Sequence, residues 1–564
     1  MKTKLAFITA LLCLASISTV TGLPLDLAQF SFNLDRHLHQ QHQTWFQTFA
    51  NLAPSFLTDL WLRPFVSDVV TDGVFPSTSV PRDNFEEWLD FQRDFAFDSI
   101  LNNIGGFGKF DEHDGVTTGA VLASPSRHNP NYFFQWTRDS AITINTLVDF
   151  LEDHQFDLSK YKIDLSAVVE SYIYNAYNLQ RVTNPAGDFE SLDGLGEAKF
   201  MPDGKPFEPV WGRPQRDGPG LRVITISKYL NLLKEHDKVL LHHGLHNETF
   251  VYEEILKPDL QYIIKNWKQP GFDLWEEINS FHLFTSLTQL KALKMGLGIS
   301  KRNNDNEFYH MLTKSFNALR FFIIAEAGYR SHSVPYLLET PELVLRGERS
   351  GLDIASILAS LQAHDITSES DSFDIPFPVE DSAVFNTLIA MINDMKYRYP
   401  VNHNRISLSS GFALGRYPED IYNGYGTSEG NPWFISTSTA AEFIYKLIFN
   451  LYNRQMPIDI DISQSSIFER ITNLKINKDT TIPFGCSAFH NATASLVNFG
   501  DTFLDIVREH VDDQGHMSEQ FSKYDGFLAG AEELTWSYSS FWSAMRWRDK
   551  ALEIMNKHAG SDVY

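Results

Sequence analysis

The stretch Gly271-Phe272-Asp273-Leu274-Trp275-Glu276-Glu277 places three carboxylates and a tryptophan within five residues, after the breaker Pro270-Gly271 and ahead of a helical pattern. A carboxyl group wedged against an indole at the mouth of a helix has a route to a raised pKa. A general acid that protonates a glycosidic oxygen needs such a shift. Far downstream, His516-Met517-Ser518-Glu519-Gln520 offers a second acid, Glu519. Two carboxylates brought together from distant loops are the minimum apparatus for hydrolysing a sugar acetal. The plainer reading of the first stretch is that its acids complement the positive end of the helix that follows.

Further polar-aromatic clusters sit in loops that also lead into helical patterns. In Asn131-Tyr132-Phe133-Phe134-Gln135-Trp136-Thr137-Arg138-Asp139, Tyr132 and Trp136 can stack on a pyranose, while Arg138 and Asp139 can grip neighbouring hydroxyls. An Arg–Asp pair that merely caps the next helix fits equally well. Gly194-Leu195-Gly196-Glu197-Ala198-Lys199-Phe200, followed by Trp211-Gly212-Arg213-Pro214-Gln215-Arg216-Asp217-Gly218-Pro219, carries enough breakers for a rigid loop, with Trp211 as one wall of a pocket or as part of a surface turn. Gly415-Arg416-Tyr417-Pro418-Glu419-Asp420 with Asn431-Pro432-Trp433-Phe434, and Leu534-Thr535-Trp536-Ser537-Tyr538, complete the set. None of these loops reads as a phosphate cradle or a nucleophile elbow, and no metal or cofactor is called for. Carbohydrate chemistry by carboxylates is what survives.

The elements that must position these residues are helical. Stripes such as Leu283, Leu287, Leu290, Leu293 and Leu297 recur at helical spacing. From about residue 84 the periodicity predicts roughly twelve helices, centred near Phe91, Leu147, Val169, Ile226, Ile255, Leu287, Phe316, Ile357, Leu388, Leu447, Leu504 and Trp542, with few strands. Long loops at 184–219, 411–432 and 512–532 within such a domain point to function. Helical hairpins arranged in a ring with one deep mouth fit this pattern; a plain bundle or a solenoid stays open. Residues 23–81, rich in Trp and Phe, are expected to pack on the outside of the domain, or to be a cleaved pro-segment; 82–564 form one catalytic domain.

At 564 residues the chain can bury one large core. Its formal charge of -24 should repel nucleic acid and anionic membrane, leaving a neutral ligand as the natural partner. Lys2 and Lys4, the apolar run that follows, and the small residues up to Gly22 read as a secretory signal over 1–22; a membrane anchor is the weaker reading. Asn247 and Asn491 head glycosylation sequons. Of two cysteines, Cys13 lies in the signal, so Cys486 stands alone and no internal disulfide is expected. Nothing calls for an assembly, and a monomer is expected.

Taken in order, YFFQWTRDS, GLGEAKF, WGRPQRDGP, DLWEE, GRYPED, GNPWF, MSEQF and LTWSY resemble the motifs of fungal and yeast glucoamylases, glycoside hydrolase family 15, over about 84–547. The resemblance implies an all-α fold, an (α/α)6 barrel with its pocket built from loops at the N-termini of the inner helices. It implies release of glucose from the non-reducing ends of starch, glycogen and maltooligosaccharides, with inversion at α-1,4 bonds and, more slowly, at α-1,6 bonds. It makes Glu276 the proton donor and Glu519 the base, with Tyr132, Trp136, Arg138, Asp139, Trp211, Trp275, Glu277 and Arg416 around the first sugars. Asp273 enters as a supporting catalytic residue. It is a poor base on physical grounds, because it should share a side with Glu276, whereas an inverting base lies on the opposite face, roughly 6.5–9.5 Å away. Activity is expected to peak in mildly acidic solution, with Glu519 charged and Glu276 not. The chain departs from the pattern in an enlarged loop at 425–429 and in lacking the disulfides, the glycosylated linker and the starch-binding module of many fungal members. An inverting trehalose hydrolase and a non-catalytic sugar-binding protein remain alternatives.

Overall fold

The computed structural model describes residues 84–559, apart from 157–162, 365–372, 404, 406–409 and 473. The readings of 1–22 as a signal and of 23–81 as a packing segment therefore lie outside the described residues. All described residues belong to one compact unit, Thr78–Tyr564.

Among the described residues, twelve helices carry the fold: α1 (Phe85–Asn102), α2 (Thr137–Asp153), α3 (Leu165–Gln180), α4 (Gly218–Glu235), α5 (Lys257–Asn266), α6 (Leu283–Arg302), α7 (Asn306–Phe321), α8 (Ala355–Ala363), α9 (Ser382–Arg398), α10 (Phe434–Asn453), α11 (Ser487–His510) and α12 (Thr535–Ala559). Eleven of the expected centres fall inside them, and the twelfth, Ile255, lies in a π-helical turn, Tyr252–Leu256, that runs directly into α5. Every second helix packs on the next in a closed ring, α2–α4–α6–α8–α10–α12 and back to α2, while the intervening helices pack outside it. This is an (α/α)6 barrel.

Burial follows from position in the ring. Inner helix α10 is buried around nearly its whole circumference, and even its polar side chains Ser436, Ser438 and Thr439 are inaccessible. Outer helix α7 buries a single stripe, Phe308, Leu312, Phe316 and Leu319, and leaves the opposite face to water. Some helix starts also differ. Asp164, Asp305 and Asp381 cap outer helices by accepting bonds from first-turn N–H groups. The N-cap positions of α2 and α10 are instead Trp136 and Trp433, whose side chains make no cap. These helix entrances are given over to something other than local stability.

Among the described residues, four two-stranded antiparallel sheets stiffen the connections. Three of them lie in loops that enter inner helices: β1 (Gln135–Trp136) with β2 (Lys199–Phe200), β3 (Gly271–Phe272) with β4 (Asn279–Ser280), and β7 (Gln520–Phe521) with β8 (Leu528–Ala529); the fourth pairs β5 (Ile458–Ile460) with β6 (Thr480–Ile482). Single bridges from Gln215 to Phe272 and from Trp433 to Gln520 stitch neighbouring loops together. The mouth of the barrel is thereby a linked rim.

Candidate active site

A cavity of about 290 Å³ opens among these loops. Its lining gathers Tyr132, Trp136, Arg138, Asp139, Trp211, Trp275, Glu276, Glu277, Arg416 and Glu519 from five separate stretches of sequence. Of the residues expected at the site, Asp273 alone is missing from this lining. Asn247 and Asn491 are exposed elsewhere, the first capping a short helix, Glu248–Val251, and the second on α11.

Glu276 sits at the turn of the β3–β4 hairpin with a φ of 66°, a left-handed conformation that costs a residue with a side chain free energy. Asp273 holds that turn. Its Oδ1 accepts from the N–H groups of Glu277 at 2.7 Å and Ile278 at 2.8 Å, and its carbonyl accepts from Glu276 N–H at 2.9 Å. With one carboxylate oxygen so occupied and only 3% of the residue exposed, Asp273 shapes the loop from behind. The first helical turn of α6 begins only at Leu283, so these acids do not complement its positive end.

The indole against Glu276 belongs to Trp136, not to its sequence neighbour Trp275. Trp136 Nε1 donates to Glu276 Oε1 at 2.7 Å, and Gln215 Nε2 donates to the same oxygen at 2.8 Å. The orientation of that amide is fixed, because Gln215 Oε1 accepts from Arg138 Nη1 at 2.8 Å. Two donors on Oε1 leave Oε2 as the oxygen able to carry a proton. Trp275 turns the other way: its Nε1 donates to both oxygens of Asp353 at 3.1 Å, and its ring lies 5.2 Å from the Arg416 guanidinium. Consecutive residues of a tight turn point apart, which is why adjacency in sequence misled the expectation.

Arg416 is the hub of the opposite wall. It is buried, pairs with Asp420 through two nitrogens at 2.8 and 2.6 Å, and donates to Glu277 Oε1 at 2.8 Å. Burial alone would raise Glu277, but Arg416, the Tyr417 hydroxyl and Arg349 outweigh it and hold this carboxyl below its ordinary value. Glu277 is therefore a fixed anion at the rim. Asp139 is the reverse case: burial dominates over its neighbour Arg138 and pushes it up to about 6.

Glu519 precedes β7 and is fully buried. Burial pushes it up to about 8, against the opposing pull of the Tyr132 hydroxyl, the Arg416 charge, the Tyr422 hydroxyl and the Ala531 N–H. The two tyrosine hydroxyls lie 2.9 Å apart beside it. Gly530, with a φ of 76°, backs the group so closely that a Cβ there would lie 2.4 Å from Oε2. The mechanism expected from the sequence needs Glu519 charged. Its site is drier than a pair of acidic loops suggests, and desolvation works against the charge.

Sequence reasoning passed over several residues of this site. Tyr422, Trp433 and Trp536 line the cavity, and Gln215 orients Glu276. Lys199 is buried with its Nζ 3.8–4.3 Å from the ring centroids of Phe134, Trp136, Phe207 and Trp211. Burial lowers this ammonium to about 8, with the charge of Glu276 acting the other way. Lys199, Gln215 and Trp433 stand inside the quoted motifs, so the signal was present, but nothing in the string says which member of a motif faces inward. Two buried indole donors on the lining, Trp211 Nε1 and Trp433 Nε1, have no hydrogen-bond partner among the described residues. Buried donors normally find partners, so a polar ligand is the natural complement.

The described residues include no cluster able to hold a metal ion and no helix long and apolar enough to cross a membrane. A model of the family described as Glycosyl hydrolases family 15 matches residues 96–546. The chain belongs to that family. A glucoamylase of Saccharomycopsis fibuligera is 40% identical over 493 residues, covering 84% of this chain and 92% of the relative. An intracellular sporulation-specific glucoamylase of Saccharomyces cerevisiae is 34% identical over 531 residues, covering 91% of this chain and 92% of the relative. A solved structure of a Saccharomycopsis fibuligera glucoamylase superposes with a TM-score of 0.78 at 38% identity, over 86% of this chain and 99% of the other. The family 15 chain is thus a glycoside hydrolase with the barrel its relatives share.

Proposed function

We propose that this glycoside hydrolase is a glucoamylase, releasing β-glucose one unit at a time from the non-reducing ends of starch-like α-glucans and maltooligosaccharides. The observation that carries the reading is the cavity itself: Glu276 and Glu519, 243 positions apart in the chain, line one small space walled by Trp136, Trp211 and Trp433. A terminal glucose unit stacks on these rings, with Arg138, Asp139 and Arg416 bonding its hydroxyls. Glu276, with Oε1 held by Trp136 and Gln215, gives its proton from Oε2 to the departing glycosidic oxygen. Glu519 takes the proton of a water that attacks the anomeric carbon from the other face.

High proton affinity suits a base, provided that the group ionises. Tyr132, Tyr422 and Arg416 favour the carboxylate, and a nucleophilic water donating to it in the reactive complex adds to them. Burial of Glu519 nevertheless works against its ionisation, so the carboxylate fraction of this group limits activity in acidic solution. Asp273 acts through the turn that presents Glu276. The signal-like N-terminus and the exposed sequons at Asn247 and Asn491 support a secreted, glycosylated protein; retention in a vacuole would use the same route.

The test is a time course on maltotriose with the purified protein and with Glu519→Gln. Glucose and maltose should appear together from the start, and the variant should lose orders of magnitude in kcat with little change in ligand binding. Binding without turnover by the unaltered protein would assign it a sugar-binding role, and cleavage of trehalose alone would make it a different hydrolase.

A further inference from the structure

His282 occupies the last position before α6, at the base of the hairpin that carries Glu276, and is only 2% exposed. Its Nε2 lies 3.1 Å from the Gly271 carbonyl on β3 and 3.0 Å from the Ile278 carbonyl, just before β4. Both carbonyls can only accept, so Nε2 carries the proton. Nδ1 lies 2.9 Å from Thr340 Oγ1, and with the ring proton on Nε2 the hydroxyl is the donor there. The tautomer is therefore dictated by the neighbours.

Thr340 is held in turn. Its neighbour Glu339 accepts from the first two N–H groups of α6, through its carbonyl to Leu283 at 3.0 Å and through Oε1 to Phe284 at 3.0 Å. One dipeptide thus anchors the start of an inner helix and the imidazole in front of it. On the far side, Ile278 carbonyl also accepts from Asp273 N–H at 3.0 Å, so His282 and the turn of Glu276 share an acceptor. Burial keeps the ring in its neutral form, with the Asp273 charge acting the other way.

We propose that His282 is a positioning residue for proton donation: its Nε2–H, bridging both strands of the hairpin, sets the turn that aims Glu276 at the leaving oxygen. The proposal rests on the reading of Glu276 as the proton donor. Loss of the bridge takes a donor from the Gly271 carbonyl and leaves the Ile278 carbonyl with Asp273 N–H alone; the hairpin is freed to shift, and a displacement of about 1 Å at a catalytic group costs on the order of 10²-fold in rate.

The experiment compares two substrates. Maltose needs a proton on its leaving group, whereas α-glucosyl fluoride loses fluoride with far less help. His282→Phe keeps the ring volume and removes both nitrogens; His282→Gln restores an N–H donor. For His282→Phe, kcat on maltose should fall by about 10²-fold with KM nearly unchanged, α-glucosyl fluoride hydrolysis should stay near the wild-type rate, and His282→Gln should recover most of the loss. Equal loss on both substrates, or no loss on either, overturns the proposal. Glu276→Gln is run alongside: if it fails to show the maltose-selective loss, the assignment of Glu276 has failed rather than that of His282. Should His282→Phe not fold, Thr340→Val keeps the ring but removes the donor to Nδ1, and a smaller loss with the same selectivity is required.

Discussion

Replacing Tyr422 with Phe isolates the electrostatic tuning of Glu519. The substitution removes one hydroxyl and keeps the ring, which lies tilted against Trp433 with centroids 6.3 Å apart. The hydroxyl is one of the groups that oppose the effect of burial on Glu519, a carboxyl already pushed up to about 8. A hydrogen bond to a charged group contributes about 1.5–3 kcal/mol. At about 1.36 kcal/mol per pKa unit that is roughly one to two units, and the lower figure applies because Tyr132 still donates. The sign is upward, since the lost donor favoured the ionised form. In kcat/KM, which reports groups of the free enzyme, the rising limb should move to higher pH by about one unit. Below that limb the variant should be roughly tenfold slower than the wild type; on the plateau the two should agree. Initial rates of glucose release from maltose across a broad pH range measure this directly. An unmoved limb, or one displaced to lower pH, would refute the argument that Tyr422 keeps Glu519 ionisable.

Other parts of the structure give equally definite expectations. Gly530→Ala drives a Cβ to within 2.4 Å of Glu519 Oε2 at a φ of 76°; kcat on maltose should fall by about 10²-fold, and the left-handed backbone should cost about 1–2 kcal/mol in thermal unfolding. Asp259 receives two bonds from Arg222, at 2.7 and 2.6 Å, in the buried contact between α4 and α5. Asp259→Asn strands that cation and should cost about 3–5 kcal/mol in denaturant unfolding. Lys199 binds its proton less tightly folded, at about 8, than unfolded, at about 10.4, so its contribution to stability should rise with pH across that window, by up to about 3 kcal/mol. Lys199→Met should flatten that part of the stability–pH curve; an identical curve would show that the four rings fully offset the burial.

The helices were legible because an amphipathic stripe repeats over many turns, and the long stripe at Leu283–Leu297 cannot be mistaken for another element. The hairpins were not, since β1, β3 and β7 are two residues each and an alternation that short carries no period. Motif order brought Glu276 and Glu519 to notice, but not their surroundings. The partner of Glu276 is Trp136, 140 positions away, and only the pairing of loops at the barrel mouth reveals it. Asp273 shows the same limit from the other side. The family resemblance made it a supporting catalytic residue, and its geometry makes it the clasp of a strained turn. The proton affinity of Glu519 was beyond sequence altogether, because it depends on burial opposed by the Tyr132 and Tyr422 hydroxyls and the Arg416 charge, which only the fold brings to it.

The most direct test is the anomeric form of the first glucose released. Proton NMR of fresh maltose with a large amount of enzyme, read before mutarotation, should show the β-anomer signal rising ahead of the α signal, as a proton donor and a water-activating base on opposite faces require. Initial appearance of α-glucose would contradict the roles given to Glu276 and Glu519.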